Sequence, residues 1–352
     1  MTLMGRMGLL GASLVTLASS AGLYAVRSAG MPANEMYRGE DFDALLRLPQ
    51  RTVLTDDGIS LVVRESGSSR APLTVVFVHG YCLRMQSWHL QYRHVRERWG
   101  EDVRMVFYDQ RGHGESGMPG RNSCTIAQLG RDLGRVIDEC TPDGPVVVIG
   151  HSMGGMTTIA LASQRPDLFE SRIVGVGLLA TTAAGLNKSG LGRNLENPVI
   201  DAFRYAARTA PGFVQAARGM ARAVVTPILR AASYGTVVSP RLAELSDRML
   251  DETSVLTIVN FLRTLELHDE SAALPVLGSV PSLVLCGDAD MVIPFSSSEA
   301  LAESLPGAEL ERVRGGGHLV QFEFPEIVNS AIDRLIQRGF AHEVSTRRAA
   351  IV

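Results

Sequence analysis

The sequence predicts an α/β domain: a mainly parallel central sheet, helices on both faces, and a helical cap inserted late in the chain. Three observations predict it. Short β-branched runs recur between segments of helical spacing, the pattern of a parallel sheet covered on both faces. One such run, Val146–Ile149, passes through Gly150-His151-Ser152-Met153-Gly154 directly into an Ala/Leu/Met-rich segment. From about Ala183 to Leu277 no strong strand signal is found, and helical runs broken by Pro198, Pro211, Pro227 and Pro240 take over.

Taken in order, the chain opens with Met7–Val26, uncharged throughout and bracketed by Arg6 and Arg27. Its length suits a membrane-spanning helix. Its Gly, Ala, Ser and Thr content lowers its hydrophobicity, and one preceding Arg, a Leu9–Leu17 apolar stretch and small residues at Ser19 and Ala21 also fit a cleaved export signal. An apolar docking helix is the third reading. The partner and localisation expectation is therefore membrane association through residues 7–26 or export, with a cytoplasmic place otherwise. Residues 31–50 read as a polar linker with a short helix around Asp41–Arg47. Thr52–Thr55 and Ile59–Glu65, joined by Asp56-Asp57-Gly58, read as a hairpin.

Leu73–His79 is a buried-type strand running into His79-Gly80-Tyr81, with a helix expected over Ser87–Arg98. Val103–Tyr108 is a third strand, ending in Asp109-Gln110-Arg111-Gly112-His113-Gly114-Glu115-Ser116. Thr125-Ile126-Ala127-Gln128 has the spacing of a capping box and opens a helix to about Glu139. Ile173–Leu179 continues the sheet. After the insertion come a strand at Ser282–Cys286, a helix over Ser297–Leu305, a strand at Glu309–Val313 and a last helix over Pro325–Arg338. The expected organisation is an N-terminal segment (1–30), a first core part (31–182), the cap (183–277), a second core part (278–340) and a mobile tail (341–352).

Composition narrows the function. With 352 residues, 45% apolar and 20% charged content, the chain is globular with ample core material. A formal charge of −3 argues against generalised nucleic-acid binding. Cys82, Cys124, Cys140 and Cys286 are widely spaced, without CxxC or Cys/His metal spacing, so separate thiols are expected. No cofactor or metal site is expected. Oligomeric state is not legible.

The chemistry centres on the strand–GHSMG–helix stretch. Glycine at positions 150 and 154 permits a turn too sharp for any other residue, which lifts the Ser152 hydroxyl above the sheet edge at a helix N-terminus. A serine needs a base, and the base needs an orienting partner. Both should follow later strands, since open α/β sheets bind ligands beyond the strands' carboxyl ends. Gly287-Asp288-Ala289-Asp290 and Gly315-Gly316-Gly317-His318 stand in those places, in the order Ser, Asp, His.

His79-Gly80, the DQRGHGES stretch, GHSMGG, GDADMVIP and GGGH followed by Glu323-Phe324-Pro325 stand in the order of one family. Over roughly residues 50–340 the chain resembles the α/β-hydrolase superfamily. Within it, the chain is similar to esterases, monoacylglycerol-lipase-like enzymes and cofactor-free haloperoxidases. The resemblance implies Ser152 as nucleophile, His318 as general base and acid, and Asp290 as its orienter, with Asp288 as the rival acid. It implies an oxyanion hole of the Tyr81 and Met153 N–H groups. His79, Gly80, Gly150, His151 and Gly154 would shape the loops, and Asp109, Arg111 and His113 would brace the loop beside the site. Cys82 reads as a small packed side chain. Epoxide hydrolases and dehalogenases of this fold carry aspartate where Ser152 stands, so esters, thioesters, amides or peracids are the expected chemistry.

The expected activity is a serine hydrolase for carboxylic esters with an apolar acyl group, on a small-molecule or lipid ester. Alternatives are perhydrolase or haloperoxidase activity, a proline-iminopeptidase-type peptidase, and a non-catalytic binding protein on the same scaffold. From Lys188 to Arg241 there are eight basic and two acidic residues, with Arg204/Arg208 and Arg218/Arg222 one helical turn apart. That pattern fits a solvated lid face or a cap lying on anionic lipid.

Overall fold

The computed structural model describes residues 37–141, 143–186, 209 and 232–351. Met7–Val26 and the four cap arginines lie outside the described residues. Among the described residues, no helix is long and apolar enough to cross a membrane.

Eight strands form one sheet in the order β1-β2-β4-β3-β5-β6-β7-β8. β1 (Gln50–Leu54) and β2 (Ser60–Ser66) form the expected antiparallel hairpin, and β2 pairs antiparallel with β4. From β4 (Val103–Tyr108) across β3 (Leu73–Val78), β5 (Val146–His151), β6 (Ile173–Leu179), β7 (Ser282–Gly287) and β8 (Glu309–Val313), all pairs are parallel. Period-two alternation divides the inner strands between two cores. Val76, Val78, Val106, Val148 and Val176 face one, and Val75, Phe77, Met105, Val147 and Ile149 face the other.

The first core is closed by α2 (Ile126–Cys140), through Leu133 and Val136, and by α3 (Met153–Gln164), through Ile159 and Leu161; α1 (His89–Trp99) covers the other core. The short α4 (Pro166–Ser171) leads into β6. α2 begins as its capping signal requires, with the Thr125 hydroxyl accepting from the Gln128 N–H at 3.0 Å. The Gln128 side chain does not complete a capping box; its amide donates to Asp56 and Asp132.

The described part of the insertion holds α5 (Pro240–Glu252) and α6 (Val255–Glu266), followed by the single turn α7 (Leu274–Leu277). α5 buries Leu242, Leu245 and Met249 against Phe42 and Leu83. α6 buries Phe261 and Leu265 against Met153 and Met156. This described part of the insertion thus packs beside Met153 and Met156, on the helix that follows Ser152.

Three helix limits differ from the sequence reading. The segment expected as Ser87–Arg98 is a 3-10 turn at Met85–Trp88 followed by α1. α8 (Phe295–Glu303) starts directly after Pro294, which fits the helix entrance. After α9 (Val320–Glu323), α10 runs from Pro325 to Ile351, through the segment expected as a tail. Phe340 stacks on Trp99 with ring centroids 5.8 Å apart, a contact that anchors the helix beyond Arg338.

Candidate active site

The strand order reverses between β3 and β5: the chain leaves β3 for β4 on one side and β5 for β6 on the other. Such a switch point opens a crevice beyond the strand ends. Ser152 follows β5 there, with φ 53° and ψ −118°, a conformation that costs a non-glycine residue about 1–3 kcal/mol. Glycine at 150 and 154 is obligatory: a Cβ on Gly150 would lie 2.4 Å from the Gly154 oxygen, and one on Gly154 would lie 2.1 Å from the Val78 oxygen.

Ser152 Oγ lies 2.9 Å from His318 Nε2, and His318 Nδ1 lies 2.8 Å from Asp290 Oδ2. The second carboxylate oxygen of Asp290 accepts the N–H groups of Val292 and Ile293 at 2.8 and 2.9 Å. All three side chains are buried. Because Asp290 is an acceptor, Nδ1 carries the ring proton and Nε2 faces the hydroxyl as the acceptor. Asp288 points elsewhere, accepting from the Gly315 N–H at 2.7 Å and Arg312 at 3.1 Å. The chain of hydrogen bonds therefore runs through Asp290. Cys286 Sγ approaches Asp290 Oδ2 at 3.7 Å from below, and burial pushes its thiol pKa up.

Gly80 places the β3 loop against the serine; a Cβ there would lie 3.2 Å from Ser152 Cβ. Tyr81 follows it, and Met153 is the first residue of α3, where an N–H has no intrahelical acceptor. This loop is braced by the DQRGHGES stretch. His113 Nδ1–H donates to the Arg111 carbonyl at 3.1 Å, leaving Nε2 to accept the Cys82 N–H at 3.2 Å. Cys82 is buried at φ 58°, so this acceptor steadies a strained residue. Burial lowers the His113 pKa to about 4. Asp109, fully buried, accepts the N–H groups of Met85 and Glu115 at 2.8 and 2.9 Å. Arg111 forks onto Asp132 and Asp57, while the neighbouring Asp56 pairs with Arg131 at 3.2 Å.

His79 accepts the Gln110 N–H on Nε2 at 2.9 Å and donates from Nδ1 to the Gly80 carbonyl at 2.8 Å. His151 donates from Nε2 to the His318 carbonyl at 2.8 Å, and burial lowers its pKa to about 3. Neither ring reaches Ser152 Oγ through a hydrogen bond among the described residues.

Three tethers were not read from the sequence. The Tyr81 hydroxyl donates to the Ile258 carbonyl of α6 at 2.6 Å. Arg84 Nη1 pairs with Glu252 of α5 at 2.7 Å. Glu323 receives the N–H groups of Gly235, Thr236 and Gly317. Each joins the site to the insertion across a sequence distance that leaves no local signal.

A model of the alpha/beta hydrolase fold family matches residues 74–325. The chain belongs to that family. This alpha/beta hydrolase is 27% identical over 239 residues to a Caulobacter protein named as a candidate carbamate hydrolase, RutD, covering 65% of this chain and 79% of that one. Among solved structures it is similar to a thermophilic esterase from Thermogutta terrifontis, with TM-score 0.63 and 26% identity over 83% of this chain and 99% of the esterase. It also shares its fold with a bromoperoxidase from Bacillus anthracis, with TM-score 0.67 and 19% identity over 82% of this chain and all of that one.

Proposed function

We propose that this alpha/beta hydrolase cleaves carboxylic esters with an apolar acyl group through an acyl-enzyme on Ser152. The observation that carries the reading is the unbroken hydrogen-bond chain Ser152–His318–Asp290 at the switch-point crevice. Ser152 Oγ attacks the ester carbonyl while His318 Nε2 takes its proton, and Asp290 stabilises the imidazolium. The oxyanion is received by the N–H groups of Met153 and Tyr81. Collapse expels the alkoxide, which leaves as the alcohol with the proton from His318. Water then attacks the acyl-enzyme, gives its proton to His318, and the acid departs as Ser152 regains the proton.

The apolar acyl preference is supported by the side chains around the serine. Met153, Met156, Phe261 and Ile293 are buried together, with Tyr81 and Val292 packed against them. Of these, Tyr81 and Val292 keep part of their surface exposed, and each additional acyl methylene buried against it would contribute about 0.8 kcal/mol. The likeness to the Thermogutta esterase supports the ester class in preference to a pure binding role.

The test is fluorophosphonate labelling followed by a p-nitrophenyl ester series of increasing chain length. Wild type should label and should gain kcat/KM as the chain lengthens from two carbons. Ser152→Ala should lose labelling and turnover while keeping its circular dichroism. A mutant that still labels and turns over overturns the nucleophile assignment.

A further inference from the structure

The Glu323-Phe324-Pro325 stretch follows the His318 loop, and the reaction just described gives Glu323 no part. Its carboxylate is nevertheless the meeting point of two chain segments. Oε1 accepts the Gly317 N–H at 2.6 Å. Oε2 accepts the Gly235 N–H at 2.9 Å and the Thr236 N–H and hydroxyl, each at 2.8 Å. Among the described residues no lysine, arginine or histidine forms an ion pair with it. A partly buried carboxylate held by four donors and no cation is fixed in direction by those donors.

The Gly235–Thr236 segment, which leads into α5, is thereby clamped onto the loop that carries the base. The two backbones touch: a Cβ on Gly235 would lie 2.1 Å from the Gly315 oxygen, and one on Gly317 would lie 2.4 Å from the Gly235 nitrogen. Three consecutive residues of the base loop are each held by a different group. Glu323 takes the Gly317 N–H, His151 donates to the His318 carbonyl, and the Ser233 carbonyl takes the Leu319 N–H at 2.9 Å.

We propose that Glu323 is a positioning residue for His318: it fixes the Gly317–His318 peptide and locks that peptide to the Gly235–Thr236 segment that leads into α5. The proposal rests on the hydrolase reading, because the position it secures is that of His318 Nε2 opposite Ser152 Oγ. A misplacement of about 1 Å in a catalytic group can cost a factor of about 10² in rate. Glu323→Gln has one acceptor oxygen where the carboxylate has two, so either Gly317 or the Gly235–Thr236 pair faces an amide NH₂. His318 acts in both acylation and deacylation, so both steps should slow while binding of a small ester changes little.

The experiment compares wild type and Glu323→Gln on p-nitrophenyl acetate, with turnover normalised to the Ser152 sites titrated by a fluorophosphonate at end point. Normalisation separates positioning from stability, since an unfolded fraction lowers the number of sites and leaves their turnover alone. We expect turnover per site to fall about tenfold, the labelling rate constant to fall in parallel, and KM to stay within threefold. A fall in turnover per site of threefold or less overturns the proposal. If the glutamine variant does not fold, Glu323→Asp, which keeps the charge but is one methylene short of spanning both segments, is judged by the same threshold. Wild type that neither labels nor turns over would remove the hydrolase reading itself. Active wild type with an unchanged variant would remove only the role of Glu323.

Discussion

Replacing His113 by glutamine isolates one titration in the brace beneath the oxyanion loop. In the native protein His113 is neutral, with burial lowering its pKa from the ordinary 6.5 to about 4. The unfolded chain therefore binds a proton that the native chain refuses whenever the pH lies between those values. Stability is at its full value above about pH 6.5, declines as pH falls, and levels off below about 4, with a limiting slope near 1.4 kcal/mol per pH unit. Integrated between pH 7 and 5, this one group costs the wild type about 2 kcal/mol. Glutamine can place an acceptor where Nε2 receives the Cys82 N–H, but it does not titrate. Urea unfolding of both proteins at pH 7 and pH 5 gives the difference directly. The wild type should lose about 2 kcal/mol more than His113→Gln over that interval. Parallel losses in the two proteins would refute the claim that His113 is held neutral by burial.

Two further outcomes follow from the same geometry. Asp290→Asn should lower kcat by a factor of about 10⁴, because the amide favours the wrong tautomer of His318, whereas Asp288→Asn should change it less than tenfold, since Asp288 holds Gly315 and Arg312; steady-state kinetics on a short p-nitrophenyl ester compares them. Thr125→Ala should cost about 1 kcal/mol in urea unfolding with kcat unchanged, because it removes the N-cap acceptor of α2 at a distance from Ser152.

How much was legible follows from the range of each signal. The sheet was, because buried parallel strands are written as local β-branched runs, and Leu73–Val78 and Val146–His151 stand where those runs place them. Ser152, Asp290 and His318 were singled out because strand ends, glycines and chain order mark them within a few residues. Asp288 and Asp290 lie in one turn, and it is the resemblance that favours Asp290, whose carboxylate is the one 2.8 Å from His318 Nδ1. The hydrogen bond of Tyr81 to Ile258 and the pairing of Arg84 with Glu252 join residues 177 and 168 positions apart. A lone tyrosine or arginine in a loop says nothing about such a partner. The end of α10 lies beyond the expected Arg338: the sequence past Ala341 offers little to bury, yet Gly339 packs closely on Val174 and the helix continues past it.

Those two ranges also divide the labour within the site. Ser152 is positioned by its own neighbourhood. Its N–H donates to the Leu179 carbonyl at 2.9 Å, and its carbonyl accepts from Gly155, Met156 and the Thr181 hydroxyl. That many bonds on one peptide can hold a strained φ in place, because leaving it would break all of them together. His318 has no such local cage. Its loop is positioned by Glu323, His151 and Ser233, and two of these contacts involve the 233–236 segment that leads into α5. Insertions vary more readily than the strands of a sheet. A change in the insertion would therefore reach the site through the His318 loop and the Tyr81 tether to α6, while the serine at the end of β5 stays where the sheet puts it.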